Sequence, residues 1–80
     1  MKVYILTVCQ KTNEERLEYV YRVFKKEQDA INMCRFLAAA AAKSPNDVFD
    51  DLDCEPYHRI MVFGPSGYVC YSYDEEEVVE

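Results

Sequence analysis

The 80-residue sequence has few of the residues that build phosphate-binding or metal-binding motifs. It contains two glycines, three prolines and one histidine. Both glycines lie in Gly64-Pro65-Ser66-Gly67, where no lysine follows, so this segment predicts a hairpin turn and not a phosphate-binding loop. The acidic stretch 46–55 resembles a calcium-binding loop but lacks the central glycine that such a loop requires. We therefore expect no metal ion and no cofactor.

Long apolar runs are also missing. No stretch approaches the roughly 20 residues that a membrane-spanning helix needs, and the apolar segment Val3–Cys9 is short and strand-like, unlike a secretory signal. Half of the residues are nonetheless hydrophobic, which is too many for a disordered chain. The sequence therefore predicts a folded cytoplasmic protein without membrane contact.

The four cysteines show no paired spacing of the C-x-x-C type. In a reducing cytoplasm we expect Cys9, Cys34 and Cys70 to act as small buried apolar residues. Cys54 and His58 are the nearest approach to a catalytic pair, but two such positions in one strand would lie roughly 13 Å apart. The sequence accordingly predicts a protein that is not an enzyme.

Basic residues are almost missing from the second half of the chain. Residues 1–43 carry eight of the nine Lys and Arg against five acids, a net charge of +3, whereas residues 44–80 carry ten acids and only Arg59, a net charge of −9. A chain with an overall charge of −6 lacks the positive surface of a nucleic-acid-binding protein, so direct nucleic-acid binding is not expected. A one-signed field of this kind attracts partners of opposite charge.

The order of the apolar patterns predicts a small α+β domain. Period-two patterns indicate strands, and a hairpin through Gln10–Arg16 is the simplest connection between the first two. A helical stripe begins after Glu27 and predicts a helix to about Lys43. Its apolar members are Ala30, Ile31, Cys34, Leu37, Ala38 and Ala41. The expected strands are Lys2–Cys9, Leu17–Phe24, Tyr57–Phe63 and Tyr68–Tyr73.

This β-β-α-β-β order implies two layers, in which one helix packs on one face of an antiparallel or mixed four-stranded sheet. We expect the domain to comprise residues 1–73, followed by an acidic C-terminal tail at 74–80. Ser44-Pro45 ends the helix, and Ser44 is expected to cap a short helical turn that continues through Asn46–Leu52.

One helix cannot cover both faces of such a sheet, and the first strand carries apolar side chains on both. An uncovered apolar face predicts a homodimer or a dedicated partner. The alternative is a wet outer face of tyrosines, whose hydroxyls tolerate water. Phe36, beside Met33 and Ala40, either widens the helix face that enters the core or contacts a partner.

Two acidic segments are the candidate binding surface. In the first, Phe49 and the tyrosines would anchor a partner that the acids attract; its residues are Asp47, Phe49, Asp50, Asp51, Asp53 and Glu55. The second consists of Asp74, Glu75, Glu76 and Glu77. Together they could line up negative charge as a nucleic-acid backbone does. The alternatives are a solvated loop whose Phe49 and Leu52 enter the core, and a frayed tail.

The chain resembles small acidic proteins encoded by bacteriophages and mobile elements. The resemblance rests on a first strand with Met1-Lys2-Val3-Tyr4, a second strand ending in Tyr21-Arg22-Val23-Phe24, a helix opened by Lys26-Glu27-Gln28-Asp29-Ala30, and a strand pair after it. Some of these proteins are anti-CRISPR or other anti-defence inhibitors. The resemblance implies a non-enzymatic inhibitor in the cytoplasm of a bacterial host. Its partner would be a defence protein with a basic nucleic-acid-binding surface, such as a CRISPR effector.

A second hypothesis belongs to another class. In it, a dimer presents a tyrosine-rich sheet face and either Arg59 or Arg22 to a nucleotide-like or other anionic metabolite, which it sequesters. This hypothesis predicts a ligand pocket at the dimer interface.

Overall fold

The computed structural model describes residues 1–79, which form a five-stranded antiparallel sheet and one long helix. The strands are β1 (Lys2–Thr12), β2 (Arg16–Phe24), β3 (Val48–Asp51), β4 (Arg59–Gly64) and β5 (Gly67–Glu77), and the helix is α1 (Glu27–Ala41). Their order across the sheet is β2-β1-β5-β4-β3. The predicted α+β class is confirmed, but the prediction of four strands was one short.

The core lies between α1 and the sheet face that it covers. Along α1, the predicted stripe is buried at Ala30, Ile31, Cys34 and Ala38, whereas Ala41 is exposed. Across from it, the alternation of the strands supplies Leu6, Val8, Ile60, Val62, Tyr71 and Tyr73, all of them buried. Met33 packs against this core, but Phe36 remains 61% exposed and does not widen it.

The extra strand, β3, replaces most of the predicted second helical turn. The Ser44 hydroxyl accepts a hydrogen bond from the Asn46 N–H at 3.3 Å, so the predicted cap is present. The turn, however, is a 3-10 helix that covers only Pro45–Asp47. It ends there because Val48 and Phe49 favour an extended backbone and pair with β4, where Val48 lies opposite the buried Val62.

The predicted acidic tail is largely part of the sheet. Strand β5 was expected to end at Tyr73 but continues through Asp74–Glu77, which pair with Lys2–Ile5 of β1. Because β1 begins at Lys2, its backbone offers hydrogen-bond partners to these four acids. The prediction of a tail considered only the repulsion between their charges. Glu80 lies outside the described residues.

The sheet surface opposite α1, called here the open face, is not covered by any element within residues 1–79. Its centre is apolar, with Phe49, Met61, Cys70 and Cys9 side by side across β3, β4, β5 and β1. This confirms the expectation that one helix leaves the second face bare. The face is not tyrosine-rich, however, because the strand alternation turns Tyr71 and Tyr73 toward α1.

Candidate functional site

Strand pairing brings parts of the two acidic segments to one end of the sheet. Asp51 lies opposite Arg59, which lies opposite Ser72, and Asp74 follows two residues later on the same face. With strands about 4.8 Å apart and a rise of about 3.4 Å per residue, the Asp51 and Asp74 backbones are about 12 Å apart. We call this group of acids the acidic corner; it consists of Asp51, Asp74 and Glu76 on the open face, together with Asp53 and Glu55 in the loop that follows Asp51.

The loop that follows β3 is held by its own hydrogen bonds and by one buried side chain. The Asp50 carboxylate accepts the Leu52 N–H at 3.1 Å, and the Leu52 side chain is completely buried. Arg35 of α1 donates to Asp50 at 3.3 Å and to Asp53 at 3.4 Å. At the end of the loop, the Cys54 carbonyl accepts the His58 N–H at 3.1 Å. These contacts give the acidic loop a defined position against the helix.

A second set of contacts ties the loop to β5 and to the start of α1. The His58 ring stacks on Tyr73 with 4.9 Å between ring centroids, and its Nδ1 lies 3.0 Å from the Leu52 carbonyl and 3.3 Å from the Tyr73 oxygen. Because a carbonyl can only accept, Nδ1 carries a hydrogen and donates to Leu52. The Tyr73 hydroxyl donates to Glu27 at 3.2 Å. Burial, followed by the charge of Glu27, raises the pKa of Tyr73 to about 12, so this phenol keeps its proton at neutral pH.

The four acids of β5 alternate between the two faces of the sheet. Asp74 and Glu76 lie on the open face, opposite Ile5 and Val3 of β1. Glu75 and Glu77 lie on the helix side, where Glu75 pairs with Lys2 at 3.6 Å and Glu77 pairs with the N-terminal amino group at 3.4 Å. Only half of this segment therefore contributes unpaired charge to the acidic corner.

The structure separates the remaining predicted site residues from that corner. Asp47 lies at the other end of β3, in the 3-10 turn. Asp50 lies on the helix side of β3, where Arg35 binds it; Arg35 also reaches Asp53 in the loop. Phe49 is half-exposed on the open face, so the proposal that it enters the core was wrong, whereas for Leu52 the same proposal is confirmed.

Sequence reasoning missed the residues that position the corner, namely Arg35, Glu27 and Tyr73. Glu27 marked only the start of the predicted helix, and nothing in its local sequence links it to a tyrosine that lies in β5. The stacked His58 has a positive φ of 39°. No short-range sequence pattern predicts a positive φ at this position.

A turn joins Cys54 and His58, as a catalytic pair would need, and the Cys54 carbonyl accepts the His58 N–H. Both side chains, however, already have other partners. A hydrogen bond with Asp51, and the charge of that carboxylate, raise the pKa of the exposed Cys54 thiol. A higher pKa leaves less of the nucleophilic thiolate. The Nδ1 atom of His58 is already engaged with Leu52. Within residues 1–79, no three His, Cys, Asp or Glu side chains are grouped to bind a metal ion.

The chain matches no protein-family model, and no curated protein and no solved structure is significantly similar to it. Within residues 1–79, no helix combines the length and the apolar character needed to cross a bilayer.

Proposed function

We propose that the protein is a non-enzymatic inhibitor that binds a basic, nucleic-acid-binding surface of a host defence protein through the acidic corner. A CRISPR effector is one partner of this kind. The observation that carries the proposal is the meeting of Asp51, at the end of β3, with Asp74 and Glu76 of β5 at one end of the sheet, on its open face.

The spacing of the acids supports mimicry of a nucleic-acid backbone. In an extended strand, successive residues advance by about 3.4 Å, and successive phosphates of one DNA strand advance by the same distance along the helix axis. Asp74 and Glu76 occupy alternate positions of this kind on the open face of β5, so their backbones lie about 6.8 Å apart, twice that advance. A surface that binds phosphates with Lys and Arg would meet a carboxylate at every second phosphate position of this repeat.

The fixed position of the loop supports the proposal energetically. Binding orders side chains and loops at a free-energy cost, and a segment that is already ordered avoids part of that cost. The buried Leu52 side chain and the contacts of His58 hold the loop before any partner arrives. The two pairs with Arg35 are exposed and contribute little to stability, so Asp53 can exchange this partner for an arginine of the target.

The test is a pull-down from bacterial lysate with the full chain, washed across a salt gradient and read by mass spectrometry. We expect a basic nucleic-acid-handling protein that elutes at moderate salt and is displaced by added DNA or RNA. Once the partner is purified, Asp74→Asn/Glu76→Gln should weaken binding about tenfold and reduce its salt dependence.

The matched control is Glu14→Gln/Glu15→Gln, which removes two exposed charges from the β1–β2 turn at the opposite end of the sheet. It should leave the affinity within about twofold of the parent, since it changes only the long-range field. Equal losses in both double variants, or no loss in either, would refute binding through the acidic corner.

A further inference from the structure

A short polar row crosses the otherwise apolar centre of the open face. Arg59 of β4 lies opposite Ser72 of β5, and Ser72 lies opposite Thr7 of β1, so the three side chains point from the same surface. The next row along the strands is apolar and contains Met61 and Cys70. All five residues are half-buried.

The guanidinium of Arg59 is held in place by a neighbouring ring but has no hydrogen-bond acceptor in the described part of the chain. Its Nε atom is buried and has no hydrogen-bond partner in the described part of the chain, and no carboxylate there forms an ion pair with it. The Tyr57 ring lies 4.9 Å from the guanidinium carbon, which orients the group but accepts no conventional hydrogen bond. A buried charged donor without an acceptor is costly, so a group from outside the chain is the natural partner.

The sheet pairing places two hydroxyls next to this donor. The Tyr73 N–H donates to the His58 carbonyl, which makes the next pair, Arg59 and Ser72, the closely spaced kind, with Cα atoms about 4.5 Å apart. Ser72 and Thr7 form the wider kind of pair, at about 5.5 Å. Nearby Arg59 also counteracts the burial that raises the pKa of Cys70, in agreement with a guanidinium that lies close to the neighbouring apolar row.

We propose that Arg59, Ser72 and Thr7 bind the phosphate group of a small molecule whose apolar or aromatic body rests on Met61 and Phe49. A tetrahedral oxyanion can accept the two parallel N–H groups of an arginine and hydroxyl donors from another side at the same time. The apolar row beside the donors offers the body of the ligand a surface to cover.

This site differs from the acidic corner and does not depend on the inhibitor proposal. Of the two arginines considered from the sequence, Arg59 lies on the open face and Arg22 does not. Arg22 lies opposite the buried Leu6, on the helix side of the exposed edge strand β2. Asp51 and Asp74 flank the polar row and repel an anion over several ångströms. Salt screens that repulsion, so phosphate binding should be maintained or strengthened from low to moderate salt, whereas binding at the acidic corner should weaken.

The experiment follows the arginine Nε–H signals of the full ¹⁵N-labelled chain by NMR during titration with inorganic phosphate and then with 5′-AMP. We expect a saturable shift of the Arg59 signal, with 5′-AMP binding at least tenfold more tightly than phosphate because its base covers the apolar row. Arg59→Met should weaken 5′-AMP binding by about ten- to a hundredfold. Arg22→Met, the same change on the other face, should leave it unchanged.

Several outcomes would overturn the proposal. The Arg59 signal could stay still, or it could move only as much as that of Arg22, which would reveal a general salt effect. Benzoate could bind as tightly as 5′-AMP, which would assign the site to carboxylates instead of phosphates.

The melting temperature gives an independent test of whether the Arg59 guanidinium lacks an acceptor. In phosphate-free buffer, Arg59→Met keeps most of the side-chain packing and removes a buried donor that lacks a partner, so its melting temperature should equal or exceed that of the parent. A melting temperature that falls by more than the loss of the Tyr57 ring contact explains would mean that the guanidinium already has an acceptor, and would count against the site. Saturating 5′-AMP should raise the melting temperature of the parent but not that of Arg59→Met.

Discussion

The acidic loop after β3 should depend on one side chain for its attachment to the domain. Leu52 is completely buried, although exposed or half-exposed acids surround it in the sequence. Replacing it with alanine removes core contacts and leaves a cavity, so Leu52→Ala should lower the free energy of unfolding by about 2–5 kcal/mol. For a small domain with a total stability of about 5–15 kcal/mol, this is a large fraction.

Phe49 offers a matched control three positions earlier. It is 50% exposed on the open face, so Phe49→Ala removes a larger side chain but less buried surface per atom. We expect a cost of about 1 kcal/mol or less. The two variants together separate burial from side-chain size as the cause of any loss.

The assay is urea unfolding followed by far-UV circular dichroism, with the midpoint and the slope fitted separately. A lower midpoint at unchanged slope in Leu52→Ala would agree with a lost core contact. Amide exchange should also accelerate at the His58 N–H, which closes the loop by donating to the Cys54 carbonyl. If Leu52→Ala cost no more than Phe49→Ala, the claim that Leu52 anchors the acidic loop would be refuted.

Three further predictions concern the turn, a buried phenol and the thiols. A Cβ at Gly67 would lie 1.8 Å from the Lys11 carbonyl oxygen, so Gly67→Ala should lower the melting temperature by at least several degrees; an unchanged value would contradict this close approach. The pKa of Tyr73 is raised to about 12 from its ordinary 10.0, so its contribution to stability is complete below pH 10 and declines as the pH rises toward 12. Tyr73→Phe should therefore show a flatter loss of unfolding free energy over that range in urea titrations. A thiol reagent should modify exposed Cys54 first and buried Cys34 last, since burial raises the pKa of Cys34 to about 12; the order is read by peptide mass spectrometry, and early labelling of Cys34 would argue against its burial.

The sequence predicted those parts of the fold that depend on local periodicity. The stripe from Ala30 to Ala38 and the alternation in β1 each describe one surface of one element, and both are found as expected. The Ser44 cap is equally local, since it involves residues two positions apart. Local patterns of this kind need no knowledge of the rest of the chain.

Elements whose conformation depends on a distant partner were predicted less well. Val48–Asp51 becomes a strand because β4 is available to pair with it, and Asp74–Glu77 extend β5 because β1 begins at Lys2. Local sequence predicted a helical turn in the first segment and an acidic tail in the second, but the backbone hydrogen bonds of a neighbouring strand decide the structure of both. The two acidic segments were recognised as candidates, but only the strand order reveals which of their acids meet.

The position of β5 between β1 and β4 also has a consequence for how the chain is made. Strands β1 and β2 can pair while later residues are still in the ribosome, but the middle of the sheet remains open until β5 emerges. Until then the nascent hairpin exposes apolar side chains and a free strand edge, which are features that promote aggregation. Synthesis that stops before residue 67, where β5 begins, would leave such a hairpin without its central neighbour. The cell would then hold a fragment for chaperones and proteases to remove, and not a weakened version of the protein.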